Sequence, residues 1–75
     1  MAKVIMQSWQ AGMDKISLTS LQATQLRIGL RDSKENVDLL LSGKEVVLEI
    51  AERAVAEDFF QQATKVGVSC RLILD

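Results

Sequence analysis

Few residues in this chain could carry out bond-making chemistry, and their types restrict it further. There is no histidine. The single cysteine, Cys70, falls on the apolar side of an alternating run, Val68-Ser69-Cys70-Arg71-Leu72-Ile73-Leu74, with no base beside it, so it reads as a buried and inert thiol. The ten acidic residues are scattered, and no two are placed to pull their proton affinities apart as an acid–base pair requires. No His, Cys or carboxylate cluster has the spacing of a metal site, and the four glycines stand singly, so no phosphate-cradling loop, metal or other cofactor is expected. An enzyme is therefore not expected. What remains is charge recognition. Lys15, Arg27, Arg31 and Lys34 are concentrated in one stretch of a chain whose formal charge is −1. Arg31 and Lys34 are three apart and neighbours on a helix. Such residues form either a solvated helix face or a docking patch for an acidic partner surface.

The elements that must position these side chains can be read from apolar periodicity. Residues 3–9 alternate as a strand, with Val4, Met6 and Ser8 on one side and Ile5, Gln7 and Trp9 on the other. Ala11-Gly12-Met13-Asp14 is a turn, with Asp14 placed to cap a helix that starts at Lys15. Residues 15–28 carry Ile16, Leu18, Leu21, Leu26 and Ile28; helix fits this spacing better than strand, although residues 16–19 alternate. The chain is expected to bend at Gly29 into a second helix over residues 30–42, with Leu30, Ser33, Val37, Leu40 and Leu41 as its apolar stripe and Gly43 as its stop. Residues 45–51 are the clearest strand, with Val46, Leu48 and Ile50 inward and Glu49 on a wet face. A third helix begins at Arg53, carries Val55, Phe59, Ala63 and Val66 and stops at Gly67. Residues 68–74 close the chain as a strand.

The order β-α-α-β-α-β predicts an α+β two-layer sandwich: a three-stranded sheet with the first strand central and three helices on one face. The other sheet face is open, and Trp9, Val47 and Ile73 are the residues on it or at its rim that could receive a second copy. Residues 1–75 are expected to form a single domain. One cysteine and no signal-like or membrane-spanning apolar run point to a cytoplasmic protein, and the slight negative charge argues against direct nucleic-acid binding.

Two runs resemble a known family. Ala11-Gly12-Met13-Asp14-Lys15 is similar to the Ala-Gly-x-Asn-Lys turn of the C-terminal domain of the bacterial ribosomal stalk protein. Gly29-Leu30-Arg31-Asp32-Ser33-Lys34-Glu35-Asn36-Val37-Asp38 resembles that domain's Gly-Leu-Lys-Glu-Ala-Lys-Asp-Leu-Val-Glu. Val66-Gly67-Val68 takes the place of its Ala-Gly-Ala before the last strand, after a short insertion near Ser42-Gly43. The resemblance spans nearly the whole chain and implies the same β-α-α-β-α-β fold, which the adaptor of the Clp protease also has; that adaptor's pocket uses histidine, which this chain lacks. In the stalk family the first two helices bind translation factors. Lys15, Arg31 and Lys34 fall on basic positions there, and Ile16 and Leu18 on apolar positions of the same surface. Ser20 and Ala23 replace two further basic positions, and Arg27 stands where the family has glycine. The stalk's dimerising N-terminal domain and hinge have no counterpart, so the resemblance implies a stand-alone relative.

Two functional readings are open on these residues. The first is a non-enzymatic binding module that docks through Lys15, Ile16, Leu18, Arg27, Arg31 and Lys34 on an acidic surface of a translational GTPase or an RNA polymerase component. The second is a structural or assembly protein, phage-encoded in one form, that self-associates through Trp9, Val47 and Ile73. A monomer or weak dimer is expected, with no membrane partner.

Overall fold

Apolar side chains at every second position, Ala2, Val4 and Met6, build the central strand of the computed structural model, which describes residues 1–74. This strand, β1 (Ala2–Trp9), lies between β2 (Val46–Ile50) and β3 (Val68–Leu74) and runs antiparallel to both, giving the order β2-β1-β3. The element order is the expected one: α1 (Lys15–Gln25) and α2 (Leu30–Leu41) precede β2, and α3 (Arg53–Lys65) joins β2 to β3. Val46, Leu48 and Ile50 pair with Met6, Val4 and Ala2, so one face of the sheet is a continuous buried apolar surface. Onto it pack Val37 and Leu40 of α2 and Ala56, Phe59 and Ala63 of α3, all buried. Helix α1 lies with its backbone set back from the sheet and packs on α2 and α3.

Set back from the sheet, α1 has a narrow fully buried stripe: Leu18 and Gln22, one turn apart. A buried amide must find partners for its donors and acceptor. The Gln22 Nε2 group donates to the Leu18 carbonyl (3.3 Å) and, across the helix pair, to the Ser33 carbonyl (3.2 Å). Its Oε1 accepts from Asn36 Nδ2 at 2.9 Å. Ser33, also fully buried, donates its hydroxyl to the Ile28 carbonyl at 3.3 Å. This clasp sets how α1 and α2 lie on one another.

The clasp also explains where the bend departs from its sequence-based expectation. Helix α1 ends at Gln25, not at Ile28. The chain must reverse early enough to bring Ser33 and Asn36 alongside Gln22. It does so by placing Arg27 in the left-handed region, at φ 56°, while the amides of Leu26 and Ile28 both reach the Gln22 carbonyl (3.1 and 3.4 Å). Gly29 is the N-cap of α2 in an ordinary conformation (φ −54°, ψ 150°), and a Cβ there would meet nothing within 4 Å. The bend thus turns on Arg27.

Two substitutions probe this arrangement. Gln22→Ala strips partners from Ser33 and Asn36 and leaves a void, which should cost about 2–4 kcal/mol in urea unfolding. Arg27→Gly removes a left-handed penalty of about 1–2 kcal/mol and returns about 0.4–1 kcal/mol of unfolded-state entropy, so it should stabilise by roughly 0.5–1 kcal/mol.

Candidate functional site

The first turn of α1 is fixed by its cap. The Asp14 carboxylate accepts from the Ser17 amide at 3.0 Å and from the Ser17 hydroxyl at 2.7 Å, and these bonds hold its pKa below the ordinary aspartate value. The preceding turn is laced to the end of α3: the Gln10 amide donates to the Gly67 carbonyl (2.8 Å) and the Asp14 amide to the Val66 carbonyl (3.1 Å). Gly67 is required there, since its φ is +103° and a Cβ would lie 3.1 Å from Met13 Cα. Lys15 and Ile16 therefore leave a well-anchored helix start. On the other side, the Ser33 amide bonds the Gly29 carbonyl at 2.8 Å, closing the first turn of α2 and fixing where Leu30 and Lys34 emerge.

Between these two anchored turns runs a surface groove of about 390 Å³. Lys15, Ile16, Thr19 and Ser20 line it from α1, and Leu30, Lys34, Val37 and Asp38 from α2. Ile16 is 81% exposed and Leu30 67%, so two large apolar side chains stand in water in a groove that Lys15 and Lys34 also line. Among the described residues the ion pair present is Arg53–Glu57 on α3, at 3.7 Å; Lys15, Arg31 and Lys34 have no carboxylate within 4.0 Å.

The structure brings Lys15, Ile16 and Lys34 together and separates the other expected contact residues. Leu18 is fully buried and cannot meet a partner. Residues two apart on a helix point about 200° away from one another, so Ile16 and Leu18 cannot share a surface, and the core takes Leu18. Arg31 is exposed on α2, three residues before Lys34, and does not line the groove. Arg27 lies elsewhere, beside the edge of β2 in a separate cleft. Leu30 was expected in the core stripe of α2. Ser33 is buried in that stripe, whereas Leu30, one turn before it at the first position of the helix, is left exposed at the groove.

On the outer face of the sheet, Val47 pairs with Ile5, and Ile5 with Arg71; Glu49 pairs with Lys3, and Lys3 with Ile73. Charged and apolar side chains thus alternate there. Trp9 does not join Val47 and Ile73. A register shift between Met6 and Ser8 sets Trp9 opposite Val68, whose side chain is buried on the helix side, and this moves Trp9 off the face that plain alternation assigns to it. Cys70 is half-buried near the Thr64 hydroxyl (3.8 Å), and burial pushes its thiol pKa up. No described helix is long and apolar enough to cross a membrane.

Comparisons with protein-family models, with curated proteins and with solved structures return no match to the chain.

The split between Ile16 and Leu18 is directly measurable. Ile16→Ala should change unfolding free energy by no more than about 0.5 kcal/mol. Leu18→Ala should cost about 2–5 kcal/mol. Equal costs would mean that α1 is rotated about its axis from the position described.

Proposed function

We propose that the chain is a small, non-enzymatic protein-binding module of the cytoplasm that docks on an acidic surface of a translation or transcription protein, a translational GTPase or an RNA polymerase component. One observation carries this reading: Ile16 and Leu30 are exposed across the α1–α2 groove, flanked by Lys15 and Lys34. Burying two such side chains is worth about 1.5–3 kcal/mol each, enough to anchor a transient complex once charge complementarity has set its orientation. The basic rim selects an acidic partner, with Arg31 extending the positive charge along α2. Support also comes from the resemblance to the stalk C-terminal domain, whose β-α-α-β-α-β order is the order found here. Lys15 and Lys34, basic in that family, flank the groove; Ser20, where the family is basic, lines it without charge. The second reading, self-association through the outer sheet face, lacks its aromatic residue, and charged side chains interrupt its apolar ones.

The test is capture of purified translational GTPases and RNA polymerase subunits, offered one at a time. A Lys15→Glu/Lys34→Glu variant with an unchanged circular dichroism spectrum should lose about tenfold or more in affinity, and binding should weaken with added salt. Capture equal to wild type by that folded variant would overturn the groove assignment.

A further inference from the structure

The cleft beside Arg27 has a chemistry unlike that of the groove. It encloses about 630 Å³ between residues 24–28 and the outer edge of β2. In the order β2-β1-β3 this edge has no strand beside it, and among the described residues no hydrogen bond runs from β2 to anything but β1. Alternate residues of an edge strand direct N–H and C=O groups outward, as a template for another extended backbone. The strand Val-Val-Leu-Glu-Ile has no proline, lysine or bulge of the kind that normally blunts an edge.

Two further features favour an occupant of stated chemistry. Leu26, Ile28 and Val55 are half-buried in the cleft wall, offering apolar contact to alternate side chains of an added strand. Glu49 and Glu52 stand on the β2 side against Arg27 opposite, so the cleft is acidic along the edge itself.

We propose that the free edge of β2 binds an extended peptide segment of a partner protein, about five residues long, that adds a fourth strand to the sheet and places a basic side chain against Glu49 and Glu52. The site is separate from the α1–α2 groove and does not depend on it.

The probe is a panel of capped peptides about seven residues long that alternate valine or threonine with lysine, titrated to about 1 mM into isotope-labelled protein. The expected result is chemical-shift change centred on Val46–Ile50, with outward amides there exchanging about tenfold more slowly in the complex. The same peptides N-methylated on alternate amides should not bind, which tests backbone pairing without altering the protein. A Glu49→Lys/Glu52→Lys variant should bind about tenfold more weakly, and Lys15→Glu/Lys34→Glu should bind as wild type. Four results overturn the proposal: no shift at β2 with any peptide, equal binding of the N-methylated set, shifts confined to the α1–α2 groove, or shifts at β2 that grow with protein concentration alone, which would assign the edge to a second copy.

Discussion

A single buried amide, that of Gln22, decides how this fold is put together on its helical side. Helix α1 is set back from the sheet, and Leu18 is its one fully buried apolar residue, with half-buried Leu21 packed against the core beside it. These two leucines would hold the helix against α2 and α3 without fixing its register. Gln22 fixes it, because its two polar ends must be satisfied at once: Nε2 by the Ser33 carbonyl and Oε1 by the Asn36 amide. A slide of either helix by one residue would leave a buried donor or acceptor without a partner, at about 1–3 kcal/mol. In a chain of 75 residues, whose whole stability is of the order of 4–11 kcal/mol, that is a large share. The early end of α1, the left-handed Arg27 and the inward Ser33 all result from bringing these partners within reach.

The same helix pair carries the surface features. Leu30 stands exposed at the first position of α2, and with Leu18 turned inward Ile16 must face outward. The groove lies where the clasp sets the two helices on one another, and these two apolar residues line it. Lys15 and Lys34 gain their place beside it from the capped first turn of α1 and the closed first turn of α2. The two clefts thus differ in lining: Lys15, Lys34 and apolar side chains in the α1–α2 groove, and Glu49, Glu52 and Arg27 beside the edge of β2.

Much of the fold was readable in the residues. Alternation along Val46–Ile50 and Val68–Leu74 and the apolar stripe of α3 gave the elements, and setting the first strand between the two parallel strands of a right-handed crossover gave β1 its central place. Two departures concern single leucines. Apolar spacing set Leu18 in the stripe of α1 and only the resemblance put it on a partner surface, while Leu30 was expected in the stripe of α2 with Ser33 and is exposed at the first position of that helix. Gln22, which carries the clasp through hydrogen bonds, is what a count of apolar residues passes over. The third departure, Trp9, comes from one extra residue between Met6 and Ser8, a bulge that no local sequence signal announces. Of the candidate site, Lys15, Ile16 and Lys34 came out of sequence reading; Leu30 and the free β2 edge emerge only from the packing of the helix pair against the sheet.

The clasp is best tested by a double-mutant cycle between Gln22 and Asn36, which sit on different helices and meet at 2.9 Å. Unfolding free energies of Gln22→Ala, Asn36→Ala and the double variant should reveal a coupling of about 0.5–3 kcal/mol, with the double variant less damaged than the sum of the two single ones. Additivity to within about 0.3 kcal/mol would contradict the account, because it would mean that the two side chains do not hold α1 and α2 together.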